Sequence, residues 1–286
     1  MIIDSHQHFW KLARGDYPWP NETVAGIFRD FEPADLAPLL TKSDVDRTVL
    51  VQATDTVAET EFLLRIADEV PWVAGVVGWA DLNASDAIEV IDRLNQHPAL
   101  KGLRPMLQNI PDTEWILQDT VGSALSHMAH LGLCFDALIQ PRHLAAIEQI
   151  ARQNPTLKIV IDHIAKPKMG GGQLADEDWV AGMRRLAELP NVYCKLSGLV
   201  TEIGPAWTMS DLAPFATHVL QVFGPEKVLF GSDWPVVNLA STYMGWREIV
   251  DRLLADLSQE DLARIMGLNA EVFYDLCRTT TKGKQW

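Results

Sequence analysis

Residues 133–163 read LCFDALIQPRHLAAIEQIARQNPTLKIVIDH, and this stretch decides the fold. Leu133–Leu138 is an apolar run without clean period-two alternation, which predicts a parallel strand buried on both faces. Pro141–Gln153 then spaces its apolar residues three and four apart, the signature of one helical face. Asn154-Pro155 stops that helix, and Lys158–Asp162 returns to a short β-branched run that ends at His163. Strand, helix and strand in that order argue for a parallel α/β architecture.

Outward from this unit the same alternation recurs. Strands are predicted at Ile2–Ser5, Thr48–Gln52, Val73–Trp79, Lys101–Pro105, Val192–Leu196 and Val228–Gly231 as well. Helices are predicted at Ala58–Glu69, Ser85–Asn95, Ile116–Leu131, Asp176–Leu189, Ser210–Phe223 and Tyr243–Leu257, with another around Ala34–Leu40. Ser85 and Ser210-Asp211 read as helix starts, and Leu131-Gly132, Leu189-Pro190 and Phe223-Gly224 as stops. Eight strands favour a closed (β/α)8 TIM-type barrel over an open doubly wound sheet, and 286 residues suffice for one such domain. The first strand is not followed by GxGxxG and there is no P-loop, so dinucleotide and nucleoside-triphosphate readings lose support. The barrel is expected over residues 1–277, with a polar tail at 278–286.

The net charge of −14 repels phosphate backbones and anionic membranes, and the longest basic run is the pair Arg184-Arg185, so neither nucleic acid nor membrane is an expected partner. Cys134, Cys194 and Cys277 are scattered and lack CxxC spacing, which fits buried thiols in a reducing compartment. The start MIIDSHQHFW has no signal-peptide pattern, so a cytoplasmic protein is expected. The oligomeric state is left open.

In a barrel of this type the chemistry gathers at the C-terminal ends of the strands. His6-Gln7-His8 ends the first strand, and residues two apart on an extended chain point the same way, so both imidazoles converge on a metal ion or a polarised oxygen. A structural pair of histidines is the plainer alternative. Asp162-His163 ends the sixth strand, where His163 could act as general acid or donate to a carbonyl oxygen. Asp233, in Ser232-Asp233-Trp234-Pro235, ends the eighth strand and would face the strand-one histidines as metal ligand or base; capping a helix is its alternative. Arg104 and Lys195 are candidates for substrate binding or for structural ion pairs. The loops Phe9–Pro33, Leu199–Met209 and Trp234–Thr242 should line the pocket, with Trp10, Trp19, Trp207 and Trp234 available to stack on a ligand.

These residues resemble the amidohydrolase superfamily, whose hallmark is His-x-His at the end of the first strand and Asp at the end of the eighth. Asp162-His163-Ile164-Ala165-Lys166-Pro167, Cys194-Lys195-Leu196-Ser197-Gly198 and Phe230-Gly231-Ser232-Asp233-Trp234-Pro235 look more narrowly like its sugar-lactonase branch. The resemblance implies a hydrolase in carbohydrate catabolism that opens an L-fucono-, L-rhamnono- or L-galactono-lactone, a small-molecule partner. Its second branch-level implication is a decarboxylase or hydrolase of an aromatic-derived acid, and a ligand-binding barrel without chemistry is the reading from another class. The fifth strand lacks the His, and the fourth the bridging Lys or Glu, of many members. The expectation is therefore at most one divalent ion, zinc before others, on His6, His8 and Asp233, with activity that does not require it.

Overall fold

The computed structural model describes residues 1–173 and 175–276. The predicted apolar runs form eight strands: β1 Ile3–Gln7, β2 Arg47–Val51, β3 Val73–Gly78, β4 Leu100–Leu103, β5 Cys134–Ala137, β6 Ile159–Ile161, β7 Val192–Leu196 and β8 Val228–Phe230. They pair in chain order, each parallel to the next. The ring closes where β8 meets β1: Asp233 N donates to His6 O at 2.8 Å, and His8 N to Trp234 O at 2.7 Å. This is a (β/α)8 TIM-type barrel.

The helices are α1 Pro33–Lys42, α2 Val57–Glu69, α3 Ala87–Asn95, α4 Asp119–Leu131, α5 Leu144–Gln153, α6 Glu177–Ala187, α7 Leu199–Ile203, α8 Met209–Phe223, α9 Tyr243–Leu253, α10 Gln259–Ala263 and α11 Asn269–Phe273. Several predicted starts differ, and α5 begins at Leu144, after a 3-10 turn over Pro141–His143, rather than at Pro141. The span from Ile116 is broken, because Gln118 is extended and α4 begins after it. The α8 cap is Thr208, locked in a reciprocal box with Asp211, rather than Ser210. The α3 cap is Asp86 rather than Ser85. Among the described residues no helix is long and apolar enough to cross a membrane. The expected tail at 278–286, and Cys277 before it, lie outside the described residues.

The barrel interior is filled. Ile3, Val49, Val51, Val77, Cys134, Val160 and Leu229 cluster with Ala270, Phe273, Tyr274 and Leu276 from α11 and just beyond it. That C-terminal segment plugs the end where the strands begin: Phe273 O accepts from Cys134 Sγ and from Lys158 Nζ. The opposite end is left open for side chains that follow the strands.

Candidate active site

His6, His8, His163 and Asp233 meet at the open end. His6 Nε2 lies 3.2 Å from His8 Nε2, and Asp233 Oδ1 is 3.3 Å from His8 Nε2, 3.7 Å from His6 Nε2 and 3.9 Å from His163 Nε2. The two-residue spacing on β1 turns both imidazoles inward, as an extended chain requires. Asp233 reaches them from a left-handed backbone with φ 57°, held by its N–H to His6 O. Gly231 lets β8 approach so closely, since a Cβ there would sit 2.8 Å from that of His6.

His163 is delivered by a less usual device. His163, Ile164, Ala165 and Lys166 all have positive φ, at 51°, 49°, 62° and 48°. Non-glycine residues there lose roughly 1–2 kcal/mol each, so the surroundings must hold the turn. Lys166 N donates to His163 O at 2.9 Å, and the buried Trp179 indole donates to Ile164 O at 2.9 Å. Gly198 leaves room for the ring, since a Cβ there would fall 2.5 Å from His163 Nδ1. Ser197 Oγ lies 2.9 Å from that same Nδ1. If the hydroxyl donates, Nε2 carries the proton and points its N–H towards Asp233.

Beneath this cluster lies a layer of buried charge. Lys195 Nζ touches Asp136 Oδ2 at 2.5 Å, Asp162 Oδ1 at 3.0 Å and His6 Nδ1 at 3.1 Å. Tyr274 OH donates to Asp136 Oδ2 at 2.7 Å, while Arg104 Nη1 donates to Asp162 Oδ2 at 3.2 Å. Two carboxylates thus face two cations, the balance that lets full burial be tolerated. Burial would raise the Asp162 carboxyl, but Lys195, His6 and Arg104 outweigh it and hold it well below the usual range. Burial raises Asp136, which shares the single Lys195 charge and takes a proton donor from Tyr274. Asp4 is pushed up to about 6 by burial, although Ser232 N, His6 N and Tyr243 OH donate to it. Burial also lowers His163 to about 4, leaving it neutral near pH 7. Asp233 is buried, yet His163, His8 and His6 keep it ionised, below the ordinary carboxylate range.

The donor set fits one divalent ion. A tetrahedral ion with ligands at about 2.0–2.2 Å spaces them about 3.3–3.6 Å apart, close to the 3.2, 3.3 and 3.7 Å among His6, His8 and Asp233. His8 Nδ1 lies 2.8 Å from Val51 O, so it carries the proton and Nε2 turns its lone pair to the centre. His6 Nδ1, 3.3 Å from Asp162 Oδ1, can do the same. On β5, where a further ligand was absent from the sequence, Asp136 is committed to Lys195 and Tyr274.

A cavity of about 440 Å³ opens above, lined by His8, His163, Asp233, Arg104 and Trp19 among others. Arg104 donates through Nη2 to the Gln52 side chain, and its Nε has no partner among the described residues. Four expectations are corrected. Lys195 is wholly buried under the site and cannot meet a ligand there. Trp10 is buried against Phe31 and Trp19, donating to Arg29 O. Trp234 packs between Phe9 and Phe31. Trp207 donates to Ala240 O and is not part of the cavity wall. Loops that fold back bury their own indoles, because large apolar area stabilises most when hidden. Sequence reading passed over Gln52, Asp136, Ser197, Tyr274 and Glu202; for Asp136 the signal was a charge inside an apolar run.

Residues 3–276 match the sequence model of the amidohydrolase family. The chain is 44% identical to an L-fucono-1,5-lactonase of Burkholderia ambifaria, across 96% of both chains. It is 34% identical to an L-fucono-1,5-lactonase of Burkholderia multivorans, across 87% of each. The crystal structure of an amidohydrolase from Burkholderia multivorans with bound zinc superposes with a TM-score of 0.90 at 33% identity, covering 97% of this chain and 100% of the other.

Proposed function

The chain belongs to the amidohydrolase family, and from that premise we propose that it hydrolyses a sugar-acid lactone of the L-fucono-1,5-lactone type to the open aldonate. The observation that carries this reading is the 44% identity across 96% of both chains to a protein named for that activity. The site supplies the groups the reaction needs. Asp233, ionised and facing three imidazoles, takes a proton from water as the water oxygen adds to the lactone carbonyl. The oxygen that gains charge is met by His163 Nε2 and by the cationic guanidinium of Arg104, two side chains of the cavity wall. When the carbon–ring-oxygen bond breaks, the leaving oxygen recovers the proton from Asp233. The new carboxylic acid then loses its own proton to solvent.

His6, His8 and Asp233 are the residues that would hold a divalent ion, zinc by their donor chemistry. Bound there, it would supply Lewis-acid polarisation and a more acidic water. Asp162 and Lys195 orient His6 from below, and Val51 O orients His8. A small-molecule substrate and a cytoplasmic setting complete the proposal; the buried free thiols of Cys134 and Cys194 suit reducing conditions.

The test is a panel of sugar lactones followed with a pH indicator, because ring opening releases a proton. Asp233→Asn should lower turnover at least ~10²-fold in a folded protein, the usual loss of a general base. Unchanged turnover in that variant removes Asp233 from the base role.

A further inference from the structure

The cavity wall carries two cationic side chains, Arg104 and Lys166, and neither offers its charge freely. Arg104 is matched by Asp162 through Nη1 at 3.2 Å, which leaves it no excess charge. Lys166 Nζ lies 2.9 Å from Glu202 Oε1, on α7 at the rim. The backbone of Lys166 is fixed by the left-handed turn, so its side chain rises from a set position into the wall. Asp55 and Asp233 add negative charge to the same wall. An uncharged ligand is indifferent to this balance. A carboxylate would find each described cation already paired and two further acids beside it, and in a half-enclosed cavity like charges repel more strongly than in bulk water.

We propose that Glu202 is a specificity-determining residue: by holding Lys166 it makes the pocket accept uncharged lactones and turn away carboxylated ones. The inference rests on the lactonase reading and adds a consequence. Ring opening converts the neutral substrate into an anion, so the same pairing that admits the lactone favours departure of the aldonate. The bond chemistry stays with Asp233, and Glu202, itself in the cavity wall, acts by cancelling the charge of Lys166.

The test reads anion binding without turnover. Citrate is titrated calorimetrically at low salt into wild type, Glu202→Gln, Glu202→Ala and the double variant Glu202→Ala with Lys166→Met, with melting curves to certify folding. The alanine variant is included because a glutamine carbonyl can still accept from Lys166. Releasing the lysine should tighten citrate at least about tenfold, equivalent to about 1.4 kcal/mol, in the alanine variant. The gain should fade with added salt and vanish in the double variant. Citrate binding no tighter than in wild type, or a gain that survives loss of Lys166, overturns the proposal. Lactone turnover by the wild type separates the two levels. If no lactone is opened, the parent reading fails whatever citrate does; if lactones are opened and citrate shows no gain, only the role of Glu202 fails.

Discussion

Glu59→Gln should change how stability depends on pH, by an amount the structure sets. Glu59 stands on α2 with its side chain fully buried, accepting from Tyr17 OH at 2.6 Å and from Ala53 N at 3.2 Å. Burial pushes its carboxyl from 4.5 to about 7, against the opposing pull of Tyr17, Ala53 and the Arg14 guanidinium; Asp16 pushes the same way as burial. A folded-state value above the unfolded one means that the stability linked to this proton is fully present below about pH 4.5 and is lost as pH rises through about 7. The displacement is worth about 3 kcal/mol, at about 1.4 kcal/mol per tenfold. The wild type should therefore lose about 3 kcal/mol relative to the glutamine variant between about pH 4.5 and pH 8. Urea denaturation of both proteins at several pH values measures this, and taking the difference removes every other titrating group. A difference that stays constant within about 1 kcal/mol over that range, the scale of extrapolation error, would refute the reasoning. The substitution also reaches the cavity, because Tyr17 precedes Pro18 and Trp19, which line it together with Ala53. With glutamine the carbonyl can still accept from Ala53 N, but the NH2 then faces Tyr17, whose hydroxyl must turn to accept instead of donate, so this wall is repositioned and KM should rise more than kcat falls.

Trp179→Phe removes the donor to Ile164 O and should destabilise the protein by about 1–3 kcal/mol, with kcat falling more than KM rises because His163 is displaced; equal kcat would show that the turn holds itself. Lys195→Met leaves Asp136 and Asp162 buried without their shared cation and should destabilise by about 3–5 kcal/mol, read by denaturant melts; a cost within about 1 kcal/mol would mean that Arg104 and Tyr274 suffice. Metal analysis should find at most one divalent ion per chain, and chelation should leave appreciable lactone turnover through the His163 and Arg104 donors. Two tightly held ions, or activity lost completely and restored only by zinc, would overturn that expectation.

The barrel was legible because a strand buried on both faces has few sequences open to it, and runs such as Lys158–Asp162 announce it. The ends of helices were less legible, since capping depends on geometry at single residues: Thr208 and Asp211 form the cap that Ser210 had suggested. Short helices such as α7 and α10 span too few residues to show a period, and α7 carries Glu202. His6, His8, His163 and Asp233 could be read because each sits directly at or after a strand end. The tryptophans misled because a loop position does not say which way an indole turns.

The charged layer under the site was hidden for another reason, and the barrel itself shows how it could have been read. Asp136 and Lys195 are the lone charges within the apolar runs of β5 and β7, and a charge buried on both faces requires a partner of opposite sign. Asp162, directly after the neighbouring β6, supplies Lys195 with one partner at 3.0 Å, but Asp136 lies two strands away, beyond β6. Inside a (β/α)8 barrel, however, side chains of alternate strands share a layer. That rule places the inward residues of β1, β5 and β7 together, and the distances agree: Lys195 Nζ reaches both Asp136 and His6. His6 is therefore two things at once, the deepest member of the reaction centre and the top of a packed electrostatic layer. The layer restricts the ring from below, so that the nitrogen facing the cavity has a defined orientation before any ligand arrives. A barrel that loses this layer can keep its strands, yet it would have to orient His6 with the ligand's own binding energy.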